Sequence, residues 1–190
     1  MSDVSDPDPH RALTPSPWVV RHAALVPAGA HVLDFACGHG RHARFFAARG
    51  CRVLAVDRHA DALATMSGIA GIATRTVDLE GVAWPLGGEQ FDAIVVTNYL
   101  HRHRFPDLLA ALEDDGALLY ETFACGNEAY GRPSNPDYLL QRGELVSLTQ
   151  GRLHVIAFEE GFVGSGARGA VVQRIAAVGP RRAWPVALSG

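Results

Sequence analysis

The sequence predicts an α/β fold: a doubly wound, seven-stranded mixed sheet with a C-terminal antiparallel hairpin. Three observations lead there. Apolar strand-like runs recur at intervals typical of short β–α units. The segments between them carry helical stop signals, with Gly50 and Gly68 closing two of them. Beyond Thr122 the rhythm changes to two alternating apolar and polar runs parted by glycines.

Met1 to Thr14 is polar and acidic and is broken by Pro7 and Pro9, so it reads as a flexible arm ahead of a domain spanning 15–180. Ser16-Pro17-Trp18 is an N-cap followed by proline at the first helical position, and opens a helix to about Leu25. Strands are expected at His31–Phe35, Arg52–Val56, Ile72–Val77, Phe91–Val96 and Gly116–Thr122. Helices are expected at Arg41–Arg49, His59–Met66 and Arg104–Leu112. Such alternation implies a parallel sheet with helices on both faces. Ala124 to Pro136 reads as a loop, with a short helix near Gly143–Leu148 after it. Leu153–Glu159 and Ala170–Val178 form the hairpin, and 181–190 reads as a tail.

The net charge of −3 gives no basic footprint for nucleic acid. All 17 cationic residues are arginine, which excludes a phosphate-loop lysine, a Schiff-base lysine and a lysine general base within this sequence. Cys37, Cys51 and Cys125 are odd in number and form no C-x-x-C pair. With no signal-peptide pattern and no membrane-length apolar run, a cytoplasmic protein is expected.

The most informative segment is His31-Val-Leu-Asp34-Phe-Ala36-Cys37-Gly38-His39-Gly40-Arg41, a strand, an acid, a glycine loop and a helix start. Such a loop aims backbone N–H groups and a helix N-terminus at a ligand, and glycine lets the backbone approach closely. Asp34 beside the loop repels pyrophosphate and suits a ligand carrying an ammonium or sulfonium group. Gly38-x-Gly40-x-x-Ala43 also fits the dinucleotide fingerprint, so the glycines alone leave two ligands open. Asp57 ends the second strand, where a carboxylate accepts ribose hydroxyls in either case.

The pattern Asp34-x-x-x-Gly38-x-Gly40 resembles the first motif of class I S-adenosylmethionine-dependent methyltransferases. The run through Gly50-x-x-Val-x-Ala-Val-Asp57, with Gly143-Glu144-Leu145, is similar to small bacterial tellurite-resistance-type members. The resemblance spans about residues 16–178 and implies a Rossmann-like sheet and S-adenosyl-L-methionine as cofactor. In it, Asp78 accepts the adenine amino group, with Leu79 near the ring. Phe91 to Arg102 resembles the fourth motif, bringing Thr97, Asn98 and Tyr99 beside the reactive methyl. Cofactor contacts are therefore expected from Asp34, Ala36, Cys37, Gly38, His39, Gly40, Asp57, Arg58, Asp78, Leu79, Thr97, Asn98 and Tyr99. Ala36 stands where the family often has glycine.

Alignment of an acceptor behind an activated methyl is the main task of such an enzyme. His101 and Tyr99 are the catalytic candidates. Trp18, Arg102, Glu121, Tyr130 and Arg132 are candidates for holding a small-molecule acceptor, with Ala124–Leu140 and the Trp18 helix as a lid. His101-Arg102-His103 lacks further ligands in the pattern, so no metal is expected. The competing readings are an NAD(P)-linked oxidoreductase and a cofactor-binding module without catalysis.

Overall fold

A computed structural model describes residues 13–166 and 169–187. Most of the expected N-terminal arm and the last three residues lie outside them. The strands are β1 (His31–Phe35), β2 (Arg52–Asp57), β3 (Ile72–Thr76), β4 (Phe91–Thr97), β5 (Leu112–Phe123), β6 (His154–Val163) and β7 (Ala170–Val178). They form one sheet in the order β3-β2-β1-β4-β5-β7-β6. The first five are parallel, and β7 lies antiparallel between β5 and β6.

The helices are α1 (Pro17–His22), α2 (Arg41–Ala48), α3 (Ala60–Ala64), α4 (Phe105–Ala110) and α5 (Glu144–Thr149). Alternate strand residues point to opposite faces and build two cores. Val32, Val53 and Leu119 pack with Trp18 of α1, Phe46 of α2 and Leu63 of α3. Leu33, Phe35, Ile94 and Leu118 pack with Phe105 and Leu108 of α4 and Leu145 of α5. Burial of a side chain such as Phe35 or Phe46 contributes roughly 1.5–3 kcal/mol.

The first helix begins as its sequence requires: the Ser16 hydroxyl accepts from the Trp18 N–H at 3.1 Å. After His22 it tightens into a 3₁₀ turn over Ala23–Leu25. Strand β5 starts four residues earlier than expected, because a register shift after Phe91 absorbs Glu113 to Asp115 before Ala117 pairs with Ala93. The hairpin also runs longer, since Gly161 stays paired with Val172. In the expected tail, Arg182 donates to the Leu25 carbonyl at 2.7 Å and Val186 packs on the first core.

The strand order reverses between β1 and β4. In open α/β sheets ligands bind outside the carboxyl ends of the strands at such a point. No described helix is long and apolar enough to cross a membrane.

Candidate functional site

The loop between β1 and α2 is set by left-handed residues at Ala36 (φ 57°), Gly38 (φ 53°) and Gly40 (φ 73°). An L side chain there costs about 1–2 kcal/mol, so Ala36 carries the strain that the usual glycine avoids. The two glycines serve different ends. A Cβ on Gly38 would meet nothing within 4 Å, whereas one on Gly40 would lie 1.8 Å from the Met66 sulfur. Gly38 therefore faces open space, and Gly40 lets α2 pack against the core.

Asp34 is only 1% exposed, and its carboxylate accepts from the Ala43 N–H at 2.8 Å. It caps the first turn of α2 from below the loop. Burial pushes its pKa up to about 7, against the pull of the Ala43 N–H and Arg41, with nearby Asp57 adding to the rise. Asp57, at the end of β2, accepts from Gly38 N–H at 2.8 Å, His59 N–H at 2.9 Å and the His59 ring at 2.8 Å. Burial works to raise its pKa, but these hydrogen bonds outweigh it and hold the carboxyl below its ordinary range.

Asp57 lines a cleft of about 210 Å³ with Ala36, Arg58, His59, Asp78, Leu79, Glu80, Asn98 and Tyr99. Asp78 accepts from the Glu80 N–H at 3.0 Å, a local turn that orients its carboxylate. Asn98 has φ 55°, the bent backbone expected after β4, and its N–H donates to Glu121 O at 2.9 Å. The Tyr99 ring is set edge-on against Phe35, with centroids 5.5 Å apart. Burial first, then Glu80 and Asp78, push its pKa up to about 12. Tyr99 therefore keeps its proton at neutral pH and can position a ligand, but it is no base.

A second cavity of about 210 Å³ adjoins the first, lined by Glu80, Asn98, Tyr99, Leu100, Thr122, Phe123, Pro133 and Tyr138. Glu80, Asn98 and Tyr99 form the wall common to both. His59, Glu80 and Phe123 were not singled out by the sequence patterns, and Pro133 was expected only as a turn and hinge residue of the 124–140 loop. Only their place at strand ends and on the following loop brings them here.

Of the residues expected against the cofactor, Ala36, Asp57, Arg58, Asp78, Leu79, Asn98 and Tyr99 line the cleft. Asp34, Cys37, Gly38, His39, Gly40 and Thr97 do not. Cys37 is buried, and burial, then Asp34 and Asp57, push its thiol far up. Its N–H donates to the Val56 carbonyl at 3.0 Å, tying the loop to β2. His39 is exposed. Thr97 Oγ1 accepts from Arg41 at 3.3 Å and lies 3.4 Å from Nδ1 of His42. His42 is buried, which, with Arg41, pushes its pKa down to about 3. Its neutral Nε2 accepts from Ser16 N–H at 3.1 Å.

The acceptor-side expectations fare differently. Trp18 is 1% exposed and donates its indole N–H to Ile175 O at 3.3 Å, so it belongs to the core. Glu121 accepts from Ser16 Oγ at 2.8 Å and from Arg174 at 3.2 Å, and its carboxylate is thereby taken up. Arg102 grips both Glu144 oxygens and the Asp137 and Leu139 carbonyls, tying α5 to the loop before it. Tyr130 packs on Phe162 at 4.7 Å, away from both cavities. Arg132 is exposed, and neither it nor His101 lines either cavity; the His101 ring lies 5.8 Å from that of His103. Among the described residues no His, Cys, Asp and Glu group has the makings of a metal site.

The loop expected to act as a lid with the Trp18 helix is closed at its neck. Cys125 N–H donates to Leu140 O at 2.9 Å, and Leu140 N–H to Phe123 O at 3.0 Å. Buried Asn127 donates to Pro133 O at 3.0 Å and accepts from Val171 N–H at 3.1 Å. The loop brings Pro133 and Tyr138 to the second cavity, while the Trp18 helix is separate from it.

Comparison with known proteins agrees with this architecture. Residues 32–119 match a family described as a methyltransferase domain. A search of curated proteins finds no match. Among solved structures, TehB from Haemophilus influenzae superposes with a TM-score of 0.68 at 17% identity over 85% of this chain and 61% of that one. The chain thus spans about three fifths of that protein's length. An S-adenosylmethionine-dependent methyltransferase from Mesorhizobium loti gives 0.64 at 18% identity, covering 86% of this chain and 98% of that one. The 1,6-didemethyltoxoflavin-N1-methyltransferase of Burkholderia thailandensis gives 0.63 at 22%, covering 88% and 78%. Residues 32–119 match the methyltransferase-domain family, and the chain has the class I fold of S-adenosylmethionine-dependent methyltransferases.

Proposed function

We propose that this protein transfers a methyl group from S-adenosyl-L-methionine to a small-molecule acceptor. The observation that carries the reading is the pair of adjoining cavities at the switch point, with Glu80, Asn98 and Tyr99 as their common wall. One holds a donor and the other an acceptor, and the wall marks where the two meet.

The first cleft fits the donor by the chemistry of its lining. Asp57, already ionised and held in place, has lone pairs left for ribose hydroxyls. The exposed Asp78 carboxylate is placed to accept from an adenine amino group beside the apolar surface of Leu79. The Gly38 N–H holds the Asp57 carboxylate at 2.8 Å. When bound, the donor supplies a methyl carbon to which the acceptor's lone pair forms a bond, while the breaking C–S bond leaves its electron pair on sulfur.

The protein's own work is then positioning and exclusion of water. Tyr99, fixed by Phe35 and by the Tyr120 hydroxyl on its carbonyl at 2.8 Å, is a rigid protonated post between the cavities. Asn98 presents its amide at the same wall. Of the two catalytic candidates, His101 lines neither cavity, which leaves alignment by Tyr99 and Asn98 as the catalytic contribution. The Burkholderia protein, in the same fold, holds 1,6-didemethyltoxoflavin and S-adenosylhomocysteine. The small size of both cavities supports an acceptor of that scale here.

The test is incubation with methyl-labelled S-adenosylmethionine and a cell extract divided into small-molecule, protein and nucleic-acid fractions. Label is expected in the small-molecule fraction. Label confined to protein or nucleic acid would contradict the reading.

A further inference from the structure

The second cavity constrains what the acceptor is; this inference rests on the functional reading above. Its walls are mainly ring and hydrocarbon: Tyr99, Leu100, Phe123, Pro133 and Tyr138. Its polar residues are Glu80, Asn98 and Thr122, together with the phenols of Tyr99 and Tyr138, of which the Tyr99 hydroxyl donates to the Leu79 carbonyl at 3.5 Å. Among the described residues no arginine or histidine lines it, and the sequence has no lysine.

Of the nearby guanidinium groups, Arg132 is exposed and does not line the cavity although it precedes Pro133, and Arg102 and Arg104 are committed elsewhere. Arg102 holds Glu144 at 2.6 Å and 3.0 Å, with the Asp137 and Leu139 carbonyls at 2.7 Å and 2.8 Å. Arg104 is 5% exposed and grips the Leu79 and Ala83 carbonyls at 3.1 Å and 2.9 Å, the Gly81 carbonyl, and Asp107 at 2.9 Å. Arg58 lines the first cleft only. An anion entering the second cavity would lose its hydration, gain no cation and face Glu80. A volume of about 210 Å³ exceeds the roughly 150 Å³ of an apolar cavity known to hold benzene.

We infer that the acceptor is a planar aromatic molecule of one or two rings that carries no negative charge. The rings of Tyr99, Phe123 and Tyr138 supply its apolar contacts, and Glu80 with Asn98 and Thr122 receives its N–H or O–H groups. An oxyanion acceptor is disfavoured by the same lining.

The experiment uses three probes on one ring system: indole, tryptamine and indole-3-carboxylate, titrated calorimetrically into the full-length protein saturated with S-adenosylhomocysteine. Indole and tryptamine should bind, with indole-3-carboxylate weaker by about tenfold or more. Tyr138→Ala, a change at an exposed side chain, should weaken indole about five- to tenfold and leave S-adenosylhomocysteine within about twofold. Equal or tighter binding of the carboxylate, no binding of any probe, or indole affinity unchanged by Tyr138→Ala would overturn the inference. Repeating the series without S-adenosylhomocysteine separates the two readings. Charge discrimination among the rings with no S-adenosylhomocysteine binding contradicts the donor assignment alone. Normal S-adenosylhomocysteine binding without ring discrimination contradicts the acceptor assignment alone.

Discussion

Asp34, one residue before the end of β1, and Asp57, the last residue of β2, have similar sequence settings, yet the fold gives them opposite electrostatics. Asp34 lies under the helix with one N–H partner, and burial lifts its pKa to about 7. Asp57 keeps a solvent-facing edge and three donors, which lower its pKa despite burial. Between an unfolded value of about 3.9 and 7, folded Asp34 is protonated while the unfolded chain is not, so its contribution to stability falls as pH rises through that window. Asp34→Asn keeps an oxygen acceptor for Ala43 and removes the titration. Denaturant unfolding at pH 4.5 and pH 8 should show the variant gaining roughly 2–4 kcal/mol on the parent between the two conditions. An equal pH dependence in both proteins would contradict the burial argument. The sequence marked both acids as strand-ending, but the number of N–H groups reaching each one depends on loop geometry that spacing does not reveal.

At the scale of elements, the start of α2 carries the clearest expectation. Gly40 abuts Met66, so Gly40→Ala should lower thermal stability whether or not ligand is present. Gly38 has room, so Gly38→Ala should cost only about 1 kcal/mol, through its left-handed backbone alone. Thermal melts with and without S-adenosylhomocysteine check this. A larger loss of stability in the Gly38 variant would reverse the assignment. The two glycines are indistinguishable in the sequence pattern; only the helix packing separates them. The same limit applies to Arg102 and Arg104. Arg102 was a candidate for holding the acceptor, but both arginines serve as staples, because their carbonyl and carboxylate partners come from other segments. Helix and strand positions, by contrast, were legible, since hydrophobic period and N-cap chemistry are local. Strand β5 was misjudged at its start because the register shift there is a property of the pair with β4.

At the scale of the molecule, five regularly spaced runs followed by a glycine-parted hairpin predict the sheet, and the observed order places the crevice between β1 and β4. Of the residues expected against a donor from their place at strand ends, Asp57, Asp78, Leu79, Asn98 and Tyr99 line one cleft. On the other cavity, the expected 124–140 loop supplies Pro133 and Tyr138, with Tyr138 expected as a contact, but the remaining expectations differ. Trp18 and Tyr130 pack against other parts of the fold, and Phe123, Pro133 and Tyr138 take the wall, because Asn127 and the strands it joins shape the loop. The central claim, that the Asp57 cleft is the donor site, is tested most directly by calorimetric titration of S-adenosylhomocysteine into the parent and Asp57→Ala proteins. The parent should bind, and the variant should lose on the order of 1.5–3 kcal/mol, about 10- to 100-fold, through loss of the charged hydrogen bonds to the ribose. Absence of binding to the parent, or equal affinity in the two proteins, would contradict it.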